Sequence, residues 1–125
     1  MSTEVLTIQE GAPVEDVLKL LINHRITGIP VVNAKREMVG VVSEYDLMAQ
    51  IAKVDSANKV DLSAPFEYTK GARTISTGTD LDEVVHQMLD QKFRRLPVVD
   101  EQNKLVGIIT RRDIIRMYYY RARLT

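Results

Sequence analysis

The chain has 125 residues, 17 Lys and Arg balanced by 17 Asp and Glu, 45% apolar residues and no cysteine. That composition fits one soluble globular domain and excludes disulfides, thiolate metal sites and, with no apolar run of about 18 residues, a membrane-spanning helix. Zero net charge removes any global electrostatic case for nucleic acid, and the opening Met1-Ser2-Thr3-Glu4 has no secretory pattern, so a cytoplasmic protein is expected.

A short strand is expected at Val5–Ile8. Val14, Val17, Leu18, Leu21 and Ile22 then fall at the i, i+3, i+4, i+7, i+8 spacing of a helix with one buried face. Pro13 suits the first helical position, and Glu15 and Asp16 place negative charge in the first turn. Two β-branched runs follow, Ile29–Val32 and Met38–Val42. The polar stretch Asn33-Ala34-Lys35-Arg36-Glu37 between them predicts a hairpin with a longer loop. Leu47, Met48 and Ile51 predict a second helix. From Lys53 to Ala72 no period is sustained, and Pro65, Gly71 and several polar residues predict a loop with room for one short element.

The same elements then recur. Thr74–Ser76 reads as a strand. Leu81, Val84, Val85, Met88 and Leu89 repeat the helical stripe, with Thr79 as its expected cap and Asp82 three residues later. Leu96–Val99 and Leu105–Ile109 flank the polar Asp100-Glu101-Gln102-Asn103-Lys104, and Ile114, Ile115, Tyr118 and Tyr119 predict the last helix. Pro97 follows Pro30, and Asp113 follows Asp46, at one constant spacing of 67 residues, which also pairs Gly78 with Gly11. A repeat of this kind changes the whole reading. One copy of about 60 residues would bury only roughly 60% of its unfolded surface, whereas two sharing a core are comfortable. The fold class is therefore α/β (α+β), with tandem β-α-β-β-α repeats in pseudo-two-fold symmetry. The first repeat is placed at residues 1–52, a linker at 53–72 and the second repeat at 73–125, with related clefts expected between the repeats.

The second hairpin strand of each copy ends alike: Gly, two apolar residues, a hydroxyl, two variable positions, Asp. The copies are Gly40-Val41-Val42-Ser43-Glu44-Tyr45-Asp46 and Gly107-Ile108-Ile109-Thr110-Arg111-Arg112-Asp113. Ser43 and Thr110, each with an Asp three residues on, predict capping boxes. A helix N-terminus also favours phosphate, and a carboxylate on the same turn can accept hydrogen bonds from the two hydroxyls of a ribose. With a β-branched strand to lie against a flat base, these groups outline a nucleotide cradle. Gly40 and Gly107 are read as strand or turn residues that allow close backbone approach.

Two such units, each with a hydrophobic-Pro-Val-Val strand and a Gly-hydrophobic-hydrophobic-Ser/Thr-x-x-Asp strand end, resemble a cystathionine-β-synthase (CBS) domain pair, or Bateman module, over about residues 3–52 and 69–124. The stretch His24-Arg25-Ile26-Thr27-Gly28-Ile29-Pro30, with Tyr45-Asp46-Leu47, is similar to stand-alone plant organellar and bacterial CBS-pair proteins. The resemblance implies a regulatory module, not an enzyme, that needs no cofactor and binds an adenosine-containing ligand (AMP, ADP, ATP or S-adenosylmethionine) in an inter-repeat cleft. It implies that the motif hydroxyl meets phosphate, that the Asp meets ribose, and that backbone near the first strand and the pre-Pro segment holds adenine. The implied site in the second copy is Thr110, Asp113, Arg111, Arg112, Arg95, Arg94, Ile75 and Pro97. The second, weaker cleft has Ser43, Asp46, Ile8, Thr27, Gly28 and Pro30.

The copies differ in charge. Arg111 and Arg112 follow Thr110, and Lys92, Arg94 and Arg95 precede Pro97, so several cations can surround one phosphate. Glu44 and Tyr45 follow Ser43, and Glu44 would repel a phosphate. The second motif is thus the better anionic site, although the basic cluster also reads as a solvated face, and His24 or Arg25 could reach either cleft. His24 and His86 have no ligand-like spacing to carboxylates and are expected at a helix end and on an exposed helix face. No nucleophile elbow or phosphate-loop motif appears. Tyr118-Tyr119-Tyr120 points in three directions, so at least one ring is expected at the surface, where Tyr favours interfaces. The resemblance implies a homodimer through the helices after Asp46 and Asp113, and a regulated protein partner. The alternative is a structural dimerisation or interaction module with unoccupied clefts.

Overall fold

The computed structural model describes residues 5–53, 61–91 and 93–124. Their contacts divide the chain into two compact units, Leu6–Ala72 and one made principally of Arg73–Thr125. The first unit contains β1 (Ile8–Gln9), α1 (Val14–His24), β2 (Gly28–Val32), β3 (Met38–Ser43), α2 (Glu44–Ala52) and β4 (Thr69–Lys70). The second contains β5 (Ile75–Ser76), α3 (Leu81–Gln91), β6 (Arg95–Val99), β7 (Leu105–Thr110) and α4 (Arg111–Leu124). The α/β repeat is therefore present twice. The opening strands are shorter than the β-branched runs suggest, and β1 starts where Val5–Ile8 was expected to end.

The repetition extends to individual hydrogen bonds. Ile8 lies beside Val31 in a parallel pair, and Ile75 lies beside Val98 in the same way. Both hairpins are antiparallel, with a register shift at Val31/Val32 in one and Val98/Val99 in the other. Each hairpin loop folds around one side-chain acceptor. Asn33 Oδ1 accepts from the backbone N–H of Lys35 and Glu37 at 3.0 and 2.9 Å, and Asp100 Oδ1 from Gln102 and Lys104 at 2.9 Å each. These Asx turns show why Asn and Asp can occupy that position: either supplies the same oxygen. Gly11 and Gly78, with φ of +85° and +86°, make the turn from the opening strand towards the helix, where a side chain would be strained.

Each unit has its own core. In the first, Val14 and Val17 of α1, Ile29 and Val31 of β2, Val42 of β3 and Leu47 of α2 pack together. Val84 and Met88, Leu96 and Val98, Ile109 and Ile114 do so in the second. The helical stripes are narrower than the spacing predicts. Ile22 is 73% exposed and its counterpart Leu89 is 70% exposed. Met48 and Ile115, also counterparts, are 69% and 70% exposed beside the buried Leu47 and Ile114.

The two helix starts also depart from expectation. Pro13 is not the first helical residue but the residue before it, in extended backbone, and α1 has no side-chain cap. The segment that reads as linker supplies the caps instead. The N–H groups of Val14 and Glu15 donate to the carbonyls of Ala64 and Leu62 at 2.8 and 3.0 Å, satisfying donors a helix leaves unpaired. At α3, Thr79 does not cap. Its hydroxyl donates back to the Ser76 carbonyl at 2.7 Å, and the helix begins at Leu81.

Residues 61–70 form a strap across the first unit. Phe66 is buried in the core, and its N–H donates to the Ala12 carbonyl at 3.2 Å. Burial of such a ring contributes about 1.5–3 kcal/mol. The Tyr68 hydroxyl donates to Glu10 at 3.0 Å. Gln50 of α2 donates to the Pro65 carbonyl and accepts from the Glu67 N–H, at 3.2 and 2.9 Å, and Lys53 pairs with Glu67 at 2.9 Å. The strap ends as β4, antiparallel to β3, with Lys70 opposite Gly40 and Thr69 opposite Val41. Gly40 makes this pairing possible. A Cβ there would lie 2.7 Å from the Tyr68 ring and closer still to the Thr69 carbonyl oxygen. Among the described residues, the second unit has a three-stranded sheet with no equivalent of β4.

Candidate functional site: two hydroxyl-acid corners

Both motifs form the capping boxes expected of them. Ser43 ends β3 and precedes α2. Its N–H and hydroxyl donate to Asp46 Oδ2 at 2.8 and 2.9 Å, and the Asp46 N–H returns a bond to Ser43 Oγ at 3.2 Å. In the second unit the Thr110 N–H donates to Asp113 Oδ2 at 2.9 Å, and the Asp113 N–H donates to Thr110 Oγ1 at 3.2 Å. Partial burial pushes the Asp113 carboxyl up. Bonds from the Thr110 backbone and side chain outweigh that, with help from the Arg116 charge, so its pKa lies below the ordinary 3.8. The carboxylate is therefore ionised at neutral pH.

Backbone geometry places the pre-Pro segment against each corner in the same way. The Glu44 N–H donates to the Thr27 carbonyl at 3.1 Å, and the Arg111 N–H donates to the Arg94 carbonyl at 3.1 Å. Gly28 is the register partner of Ser43, and Arg95 that of Thr110. One scaffold thus carries two different sets of side chains. Thr27, Gly28, Glu44 and Tyr45 adjoin the first corner along the backbone, and Arg94, Arg95, Arg111 and Arg112 adjoin the second. The Arg111 guanidinium is oriented by a bond from Nε to the Phe93 carbonyl at 2.8 Å. All four arginines are exposed, while Thr110 and Asp113 are half-buried. Lys92 lies outside the described residues.

The adenine-side candidates take different places. Ile8 and Ile75 are buried in their cores, which leaves their backbone as what a ligand can meet. Pro30 is buried and Pro97 half-buried, opposite Val41 and Ile108. The sequence gives no hint of one contact at the first corner. Thr69 of β4 donates from its hydroxyl to Asp46 Oδ1 at 2.9 Å. Phe66 and Tyr68 alternate just before it, but the run is too short to separate from loop.

Elsewhere, an apolar hollow of about 370 Å³ lies between α1 and α2, lined by Leu18, Leu21, Ile22 and Met48 among others. Its charged lining residues are one cation and one carboxylate, Arg25 and Glu44, and the carboxylate opposes a phosphate. A hollow of about 400 Å³ in the second unit is lined by Asp80, Asp82, Glu83, His86 and Arg121, and its carboxylates disfavour an anion. Among the described residues no group of His, Asp and Glu could hold a metal ion, and no helix is long and apolar enough to cross a membrane. His24 ends α1 and His86 is exposed on α3, as expected. None of Tyr118, Tyr119 and Tyr120 is buried. The Tyr118 hydroxyl bonds Asp82, which raises its pKa, and Arg121 and Arg123 lie over the Tyr118 and Tyr119 rings at 5.8 and 5.7 Å.

A family model described as CBS domain matches residues 1–53 and 67–120. The chain is 33% identical over 134 aligned positions to the chloroplastic CBS domain-containing protein CBSX2 of Arabidopsis thaliana. That alignment takes in 87% of the chain and 56% of the relative, so the chain spans about half of that protein's length. The crystal structure of CBSX2 in complex with AMP superposes with a TM-score of 0.71 at 34% identity, covering 94% of this chain and 89% of that one. The cytosolic domain of the Mg2+ channel MgtE in complex with ATP gives 0.73 at 32% identity, covering 94% and 46%. The CBS domain pair of protein MJ0100, in complex with 5-methylthioadenosine and S-adenosyl-L-methionine, gives 0.67 at 25% identity, covering 97% and 93%.

Proposed function

The chain belongs to the CBS-domain family, and from that premise we propose that it is a regulatory module that senses an adenosine-containing ligand, chiefly at the corner formed by Thr110 and Asp113. One observation supports this reading: the backbone sets Arg94, Arg95, Arg111 and Arg112 next to the Thr110–Asp113 capping box at the start of α4, where Asp113 is ionised. Arginine forks suit phosphate oxygens, the helix start favours negative charge, and the Asp113 carboxylate suits a ribose diol. The relatives crystallised with AMP, with ATP and with S-adenosyl-L-methionine support an adenosine ligand. Asp46 and Ser43 form the weaker site, because Glu44 stands where Arg111 does. The ligand acts as a signal by stabilising one arrangement of the protein over another, since only differential affinity shifts an equilibrium. A protein partner reads that change.

The test is a thermal-shift panel of AMP, ADP, ATP and S-adenosylmethionine, followed by calorimetry on Asp113→Ala. A ligand at 100 times its dissociation constant adds about 2.7 kcal/mol of stability. Loss of hydrogen bonds to a charged acceptor, about 1.5–3 kcal/mol, weakens binding roughly tenfold to 150-fold. Unchanged affinity in folded Asp113→Ala removes that residue from the site. A flat panel favours the second reading, a dimerisation or interaction module, for which the exposed apolar residues of α2 and α4 speak.

A further inference from the structure

At the first corner the strap adds a hydroxyl donor from outside the motif. β4 brings the Thr69 hydroxyl to 2.9 Å from Asp46 Oδ1, while Ser43 engages Oδ2 through its N–H and hydroxyl. Both carboxylate oxygens of the first motif therefore already accept a donor. A threonine hydroxyl presents to that carboxylate the same group, an alcohol O–H, that a ribose would present. We propose that Thr69 is an internal competitor for Asp46. Three of the roughly four lone-pair sites of that carboxylate are taken, so a ribose diol places both of its hydroxyls on Asp46 only by taking the place of this one. The inference rests on the reading above, in which the motif carboxylate receives sugar hydroxyls.

The contact is built in rather than incidental. Gly40 lets β4 approach β3, Phe66 anchors the strap in the core, and Gln50, Lys53 and Glu67 tie it to α2, the helix that carries Asp46. Thr69 itself is exposed at the edge of this arrangement, so its side chain can rotate away without unfolding the strap. Exchange of one alcohol for another at the carboxylate returns little net hydrogen bonding. A ligand at Asp46 therefore gives up roughly the worth of one net hydrogen bond, about fivefold in affinity.

The experiment is a titration of the 15N-labelled protein, followed by amide NMR, with the tightest binder among AMP, ADP, ATP and S-adenosylmethionine. The amides of residues 43–46 and 110–113 report each motif separately in one sample. In the wild type, residues 110–113 saturate first. In Thr69→Val, which keeps the β-branched shape and removes the hydroxyl, the midpoint for residues 43–46 falls about fivefold and that for residues 110–113 stays. Thr69→Ser, which keeps the hydroxyl, behaves as the wild type. If residues 110–113 respond but the midpoint at residues 43–46 is the same in Thr69→Val, the competitor role is wrong and the ligand reading stands. If Thr69→Ser shifts that midpoint as Thr69→Val does, strap packing and not the hydroxyl is responsible, and the role is again wrong. If neither motif responds to any of the four compounds in the wild type or Thr69→Val, the ligand reading fails and this inference fails with it.

Discussion

Gly40→Ala adds one methyl group at the point where β3 and β4 come closest. Its carbon would sit 2.7 and 2.9 Å from the Tyr68 ring carbons Cδ2 and Cε2, and closer to the Thr69 carbonyl oxygen, which is backbone and cannot rotate aside. Either β4 moves away or β3 bends. Overpacking of this kind costs about 1–3 kcal/mol. Displacing β4 also strains the hydrogen bonds around Gly40 and the Thr69–Asp46 bond, each worth about 1 kcal/mol net. The expected total is about 2–4 kcal/mol. Gly28→Ala is the internal control. A Cβ there meets Val41 Cγ1 and the Val42 carbonyl at 3.5 Å, an ordinary contact, and adding a methyl to a strand glycine reduces the entropy lost on folding. Urea unfolding followed by circular dichroism measures both. With a slope of about 1.5 kcal/mol/M, Gly40→Ala lowers the midpoint by roughly 1.5–2.5 M while Gly28→Ala leaves it within about 0.5 M. Equal midpoints for the two variants would show that β4 does not press on Gly40, and the account of the strap would fall with it.

Two further outcomes are expected. Asp113 has a folded pKa below its ordinary 3.8, so its stabilising contribution is complete above that value and is lost as pH falls through the lower folded value. Asp113→Asn should therefore fall below wild type in thermal stability at pH 6 and converge with it towards pH 2, and a constant gap across that range would contradict the assignment. The exposed Met48 and Ile115 suit a homodimer through α2 and α4, so the wild type should sediment as a dimer and a Met48→Glu, Ile115→Glu double variant as a folded monomer. A monomeric wild type at tens of micromolar would refute it.

The repeat was legible because its signals are local and doubled. Alternation in the hairpins, the 3.6-residue stripes and the hydroxyl-x-x-Asp corners each arise within a dozen residues. Both capping boxes follow from that spacing alone. The backbone adjacency of residues 94–95 and 110–111 was legible too, since those segments meet wherever a hairpin forms between them. What escaped the sequence depends on contacts across longer stretches. Thr69 reaches Asp46 over 23 positions, and Leu62 and Ala64 cap a helix some 48 residues earlier. Phe66 and Tyr68 alternate like a strand, yet β4 is two residues long and offers no period to detect. Thr79 misled for a related reason: a hydroxyl just before a helix has two partners within reach, and here the Ser76 carbonyl takes it.

Carbonyls from residues 62 and 64 serve the start of α1, which makes the half-chain a poor cassette. Anyone excising the N-terminal copy at the end of its sequence homology, near residue 52, would leave behind its own fastening and bare an aromatic-sized hole where Phe66 belongs. Recombination, whether in a genome or at a bench, has to carry the tail along with the copy it finishes.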